Sequence, residues 1–473
     1  MDINLKPYEE YKETEYDWLG SVPRHWKEQT VRSITKLSTE RNGNRDDLEL
    51  LSVYREYGVI RKSSRDDNHN VESQDLSNYK FVDSGYLVLN KMKMWQGSLG
   101  VSRHRGIVSP AYIVCKLIGD LNYEYIHYLM RSAKFKTIYN RISYGVRVGQ
   151  WDMRYDDFKN IKLFLPPITE QNQIVKYLDY QLAKINKFIQ AKKKLITVLK
   201  EQKQVVINDA VTKGLNQNVK MQPTNINFIE SVPAHWRKYR LKNLVSINGR
   251  IGFRGYTQSD IVNEGEGAIT LSPGNIKNQK LKLDSLAYIS WDKYYESPEI
   301  MVEDNDIVLV KTGSSFGKAI LIKNITYPMT INPQLVLLKN CKAHPEYFEK
   351  ILFSSMFMSQ ISRRVIGGAT PTIGQGVLGD IVFYVPDLNE QKHIIKYINY
   401  ETDKIDKSIA TIEKEIELIT EFRTSLISNV VTGKLDVRDI FLEDNGEVNA
   451  DYKIIEEETK ELEGVLESEE CEV

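Results

Sequence analysis

Leu165-Pro166-Pro167-Ile168-Thr169-Glu170-Gln171 opens a long stretch of helical pattern, and Val385-Pro386-Asp387-Leu388-Asn389-Glu390-Gln391 opens another one 220 residues later. The same offset relates Val211-Thr212 to Val431-Thr432, where each stretch closes. Upstream, Ser21-Val22-Pro23-Arg24-His25-Trp26 recurs as Ser231-Val232-Pro233-Ala234-His235-Trp236, an offset of 210. Three landmarks repeated in one order make the chain two copies of a single unit. The second copy has gained ten residues between its first and second landmarks.

Within each stretch, apolar residues alternate in steps of four and three, the spacing that keeps a seam on one side of a helix. The first seam holds Leu178, Leu182, Ile185, Ile189, Ile196, Leu199 and Val206, broken by Lys192 and Lys203. The second holds Ile398, Ile405, Ile409, Ile412, Ile416, Ile419 and Leu426, with Arg423 where Lys203 stood. Prolines precede Thr169 and Asn389, which read as N-caps, while Gly214 and Gly433 supply stops. Each helix then runs ~43 residues, roughly 64 Å. Such a seam is buried on the sister helix, on another copy of the chain, or on its own domain. Residues 166–214 hold nine Lys+Arg and four Asp+Glu, net +5; residues 386–434 hold seven and nine, net −2. Opposite signs favour pairing of one helix with the other.

The segments ahead of the helices carry short strand-like runs at matching places. Tyr86–Leu89 answers Ile307–Val310, and Ala111–Val114 answers Gln334–Leu337. Turn residues separate them, and helical stretches over Glu124–Asn140 and Pro345–Val365 follow, which gives an α+β class. The two copies share a frame and differ at their loops, the pattern of one scaffold presenting two recognition surfaces.

Several motifs imitate catalytic sites and fail on inspection. Gly313-Ser-Ser-Phe-Gly317-Lys318-Ala319 is one residue short of a phosphate-binding loop and ends in Ala where a metal-binding Ser/Thr is required. Asp387, Glu390 and Lys392 imitate a nuclease metal site, yet the first copy lacks both the Asp and the Lys. Ser109-Pro110-Ala111-Tyr112 and Asn332-Pro333-Gln334-Leu335 only partly match the loop of adenine methyltransferases, and no glycine-rich turn for a methyl donor precedes either. His25 and His235 stand beside Trp, where packing accounts for them. No catalytic residue and no metal ligand is assigned.

Composition sets the remaining bounds. The 473 residues hold 64 Lys+Arg and 64 Asp+Glu, with 41% apolar residues, as expected of several folded domains. The three cysteines, Cys115, Cys341 and Cys471, are too far apart for a disulfide framework or zinc site, so a reducing cytoplasm is expected. No signal segment and no membrane span is expected. Residues 436–473 hold 15 Asp+Glu against three Lys+Arg, net −12, which leaves +12 on the rest of the chain. The zero overall charge is therefore a cancellation between a basic body and an acidic tail, and the body suits a polyanionic partner.

This order of parts resembles the DNA-specificity subunit of type I restriction-modification systems over residues ~15–435: an α+β domain, a Pro-x-x-(Thr/Asn)-Glu-Gln entry into a long helix, a Val-Thr stop, then the whole again. The resemblance implies target-recognition domains over 1–165 and 229–384, spacer helices over 166–214 and 385–435 forming an antiparallel coiled coil with pseudo-twofold duplication, and a linker at 215–228, while the acidic composition of 436–473 reads as a disordered tail. It implies a protein without chemistry of its own. Each domain would read half of a split, asymmetric site in double-stranded DNA, and the helices would dock two adenine-methyltransferase subunits and the restriction/translocase subunits. S-adenosylmethionine, ATP and Mg would belong to those partners. A non-DNA coiled-coil scaffold with two protein-binding modules is the alternative.

Loop residues able to pair with bases or phosphates are the candidate DNA contacts. In the first copy these are Arg55, Lys91, Lys93, Arg103, Arg105, Arg147, Gln150 and Arg154, with Trp95 and Trp151 as stacking contacts. In the second they are Asn275, Lys311, Ser314, Lys318, Thr370, Thr372 and Gln375, beside the small-residue loop Gly367-Gly368-Ala369.

Overall fold

The computed structural model describes residues 5–441 apart from 44, 56, 65–74, 146–150, 251, 278–279 and 366–370. The described residues form two compact units: 5–192 with 413–441, and Lys193–Ile412. The long helices, Ile168–Lys213 and Leu388–Val431, each contribute a segment to both.

In the first unit a four-stranded antiparallel sheet runs in the order Thr35–Leu37, Tyr112–Leu117, Tyr86–Asn90, Leu99–Val101. Leu87, Val88 and Leu89 are all buried, so the central strand reads as a continuous apolar run rather than an alternating one. Lys27–Thr30 pairs separately with Lys162–Leu165, the strand that leads into the first long helix. The predicted helix over 124–140 is two helices, Tyr123–Arg131 and Ala133–Ile142, because Ser132 adopts an extended conformation (φ −61°, ψ 153°). Asn122 starts the first of them, its side chain accepting from the backbone N–H groups of Glu124 and Tyr125. Their apolar faces share one core with the sheet, with Leu178, Leu182 and Ile185, and with Leu426, Val430 and Val431 near the end of the second long helix.

The second unit repeats the sheet in the same order: Ser246–Asn248, Leu335–Lys339, Ile307–Val310, Ala319–Leu321. Arg237–Arg240 pairs with Val382–Val385 as the lead into the second long helix. The expected helix over 345–365 is again two, Pro345–Leu352 and Ser355–Ile361. Its core takes Ile207, Ala210 and Val211 from the first long helix and Ile394, Ile395 and Ile398 from the second. The two copies diverge between the sheet strands. The second unit builds another four-stranded sheet there, Ile261–Val262, Ala287–Ser290, Gly267–Leu271 and Met329–Ile331, its last pair parallel. Among the described residues the first has there the hairpin Leu51–Tyr54/Gly58–Arg61 and the pair Lys80–Val82/Gly106–Val108.

Every predicted seam residue is covered. Leu178, Leu182, Ile185, Ile398, Ile405, Ile412 and Leu426 are buried, and Ile189, Ile196, Leu199, Val206, Ile409, Ile416 and Ile419 half-buried. The lysines that interrupt the seam find carboxylates on the other helix: Lys192 pairs with Glu415 at 2.7 Å in the first unit, and Lys203 with Asp406 at 2.7 Å in the second.

Two boundaries differ from expectation. The long helices begin at Ile168 and Leu388, so Thr169 and Asn389 are not caps. Asp387 fills that role, its carboxylate accepting from the N–H groups of Asn389 and Glu390 at 2.9 Å. A carboxylate at that position captures two free donors and sets the start of the helix. The tail also begins later than residue 436. The Asp436 N–H donates to the Lys6 carbonyl at 2.8 Å, Val437 is fully buried, and the Gln173 amide donates to the carbonyls of Val437 and Ile440.

Candidate nucleic-acid interface

The repeated motifs hold each unit's frame. In the first unit Glu170 is buried at the start of the long helix. Its Oε1 accepts from the Trp26 indole N–H at 2.9 Å and the Tyr8 hydroxyl at 2.7 Å, and its Oε2 lies 2.7 Å from His25 Nε2. Burial and the carboxylate together push the Tyr8 phenol far above its ordinary value. In the second unit Glu390 repeats two of these contacts, with Trp236 at 3.2 Å and His235 at 2.7 Å. The glutamine beside each glutamate closes the next joint. Gln171 donates to the Pro166 carbonyl and accepts from the Asn122 N–H; Gln391 does the same with Pro386 and His344. Both histidines and the Glu-Gln pairs are therefore structural anchors, and Asp387 and Glu390 are spent on a cap and an anchor rather than on a metal.

On this frame each unit brings together two loops that are distant in sequence. In the first, the turn after Tyr86–Asn90 meets the segment before the last strand: the Met153 N–H donates to the Lys91 carbonyl at 3.0 Å, and Tyr144 and Asp152 exchange backbone bonds. Trp95, on the short turn Met94–Gln96, packs edge-on against Trp151, with ring centroids 5.0 Å apart. The Lys91 ammonium lies 3.4 Å from Asp152 Oδ2. Lys93 and Arg154 are exposed on the same two segments. Lys91, Lys93, Trp95, Trp151 and Arg154 thus form one cationic and aromatic cluster, the composition suited to phosphates and base faces.

The second unit builds the equivalent crossing with different side chains. The Ile373 N–H donates to the Lys311 carbonyl at 3.1 Å, the Gly313 N–H to Pro371, and the Thr312 and Thr372 hydroxyls meet at 2.7 Å. Ser314 and Lys318 are exposed on the loop, with Lys318 Nζ 3.4 Å from Ser315 Oγ. Gln375 opens the helix Gln375–Gly379 and packs against Gly249, where a Cβ would lie 2.2 Å from its amide nitrogen. The Gly313–Lys318 loop runs into the strand Ala319–Leu321, not a helix, so it lacks the helix N-terminus on which a phosphate-binding loop depends.

Other candidates lie apart or are already engaged. The Arg103 guanidinium makes a two-pronged contact with Glu124, both distances 2.8 Å. Arg105 lies over the Phe81 ring at 5.6 Å, and Arg55 is exposed next to the hairpin, its carbonyl accepting from Arg131. Asn275 is buried, and its amide serves its own turn, accepting from the Ser272 N–H and hydroxyl and donating to the Lys282 carbonyl. Arg147, Gln150, Thr370 and the Gly367–Ala369 loop lie outside the described residues. Sequence reasoning overlooked Asp152. The 220-residue offset that pairs it with Thr372 was the available signal.

Among the described residues no helix is long and apolar enough to cross a membrane. Residues 23–198 match the family described as "Type I restriction modification DNA specificity domain". The chain is 26% identical over 366 residues to the type I restriction enzyme MjaVIII specificity subunit of Methanocaldococcus jannaschii, an alignment covering 73% of this chain and 79% of that one. A solved chain from work titled as the structural basis of complex assembly and conformational transition of the type I R-M system superimposes with a TM-score of 0.61 at 13% identity, covering 87% of this chain and 98% of the other.

Proposed function

Because the chain belongs to the family of type I restriction-modification DNA specificity subunits, we propose that each unit reads one half of a bipartite, asymmetric DNA site through its loop crossing. The observation that carries this is the repetition of one anchored frame under two different loop clusters, Lys91/Trp95/Trp151/Asp152 and Lys311/Thr312/Thr372. A repeated frame presents the loops in the same way, while different side chains select different bases.

The long helices act as an antiparallel coiled coil that fixes the unread spacer. The descending register of Lys192 with Glu415 and Lys203 with Asp406 supports this, as does the burial or half-burial of every seam residue. Outside the seam, Leu195, Val198 and Val205 in the second unit and Leu418 and Phe422 in the first remain exposed, apolar area suited to docking two methyltransferase subunits. Restriction/translocase subunits complete the cytoplasmic complex. The chemistry resides in those partners, which bind S-adenosylmethionine, ATP and Mg, and this chain supplies position.

Genome-wide adenine methylation in cells with and without this chain tests the reading. A two-part motif present only with the chain supports it. The same motif in both strains overturns it, as does sequence-specific methylation by the purified chain without a methyltransferase subunit.

A further inference from the structure

Lys91 and Lys311 occupy the same place in the two units. Each follows the central strand, Tyr86–Asn90 or Ile307–Val310, and each accepts through its carbonyl the N–H of the residue 62 positions on, Met153 or Ile373. Their electrostatic surroundings differ. Asp152 stands 3.4 Å from the Lys91 ammonium, whereas its counterpart Thr372 carries no charge and spends its hydroxyl on Thr312. Lys311 is half-buried, and among the described residues no carboxylate pairs with it. The adjoining segment Ile366-Gly-Gly-Ala-Thr370 contains no acid either. Burial lowers the pKa of Lys311, with no opposite charge to offset the lost hydration.

We propose that Lys311 is a DNA-backbone phosphate anchor that the second unit holds without a counter-ion, while the first unit screens the equivalent Lys91 with Asp152, so that the two readers grip the duplex unequally. The inference rests on the DNA-reading function above. A phosphate oxygen supplies what the Lys311 site lacks, and a lysine meets it as a point charge. Thr312 and Thr372 keep the crossing closed beside it, and the exposed Lys318 on the same loop adds to the positive field. In the first unit an incoming phosphate must compete with Asp152 for Lys91. The half-site read by the second unit then supplies more of the sequence-independent affinity, and the first more of the discrimination.

The test uses the full chain assembled with its methyltransferase subunits, titrated with duplexes carrying matched or altered half-sites at several salt concentrations. Lys311→Ala is expected to weaken all duplexes alike and to reduce the salt slope by about 0.9, so that its loss of affinity is roughly threefold larger at ~50 mM than at ~200 mM salt. Thr372→Asp, which installs the missing carboxylate, is expected to match it, and the double variant to lose nothing more. Asp152→Asn is expected to do the reverse, tightening all duplexes and steepening the slope by about 0.9. Because it leaves the second unit intact, it keeps the proposal exposed if the other variants do not fold. An unchanged slope in Lys311→Ala or Asp152→Asn overturns the proposal, as does a loss confined to one duplex sequence, which would make Lys311 a base reader. Absence of sequence preference in the unaltered complex would instead overturn the DNA-reading function.

Discussion

The Trp26 indole N–H ends on Glu170 Oε1 at 2.9 Å, joining the first repeated motif to the second across 144 residues of chain. The same oxygen accepts from the Tyr8 hydroxyl, so one carboxylate satisfies two buried donors. Glu170→Ala strands both, and each buried donor without a partner costs about 1–3 kcal/mol. The first unit is expected to lose about 3–5 kcal/mol. Glu390 is more open, its side chain 27% exposed, and water replaces part of what Glu390→Ala removes. Hydrogen-exchange protection of the two central strands checks the contrast. Equal losses would count against it.

Gly433 and Gly214 end the long helices with the same left-handed φ of +74°. Their surroundings differ. A Cβ on Gly433 would lie 2.4 Å from Pro23, whereas one on Gly214 meets nothing nearer than 3.4 Å. Gly214→Ala is expected to cost about 1 kcal/mol, from backbone conformation alone. Gly433→Ala is expected to cost more and to displace Trp26, which fluorescence of a variant keeping only that tryptophan would detect.

His127 packs half-buried beside Val101, and its pKa falls to about 3, through burial first and the neighbouring Arg131 and Arg103 next. The folded value lies below the ordinary one of about 6.5, so between these limits the unfolded chain takes up the proton and the folded chain does not. This contribution is complete above pH 6.5 and is lost as pH falls toward 3. By pH 5 the loss reaches at most about 2 kcal/mol. Urea titrations from pH 7 to 4.5 should show a shallower decline for His127→Gln. An unchanged decline would place the uptake elsewhere.

If the helices set the spacer, they must lengthen together. Seven residues inserted after Lys193 and seven after Glu413 keep both seams in register and add ~10 Å of rod. The methylated motif is expected to gain about three base pairs between its halves, at 3.4 Å per step. Four residues inserted in one helix alone shift its seam against its partner and should lower stability. A methylation map with the original spacing in the matched variant would refute the ruler.

Helices and repeats were legible because their signals are periodic. Leu178 through Leu426 announced a seam, and all of it is covered. The central strands were legible as apolar runs of four. Ser132, which divides one predicted helix, lies among ordinary helix formers and shows its extended conformation only in the folded chain. Loop assignments were weaker because an arginine's type does not say whom it meets. Arg103 and Lys91 look alike in sequence, yet Arg103 is answered by Glu124 and Lys91 joins the aromatic pair's loops. Asn275 looked like a surface amide and is a buried turn.

The division of the cores also bears on the order in which the chain matures. The main core cluster of the second unit lies between Ile207 and Ile398, and its buried seam residues end at Ile412, so all of it is available before the first unit's core is complete. The first unit's core spans Tyr8 to Val437 and waits for Leu426, Val430 and Val431. Domains ordinarily fold as units with the N-terminal one first. Here the unit synthesised first is the last to be completed, and until the final turns of the second long helix emerge, Trp26, Tyr125 and Leu178 share a core open on one side.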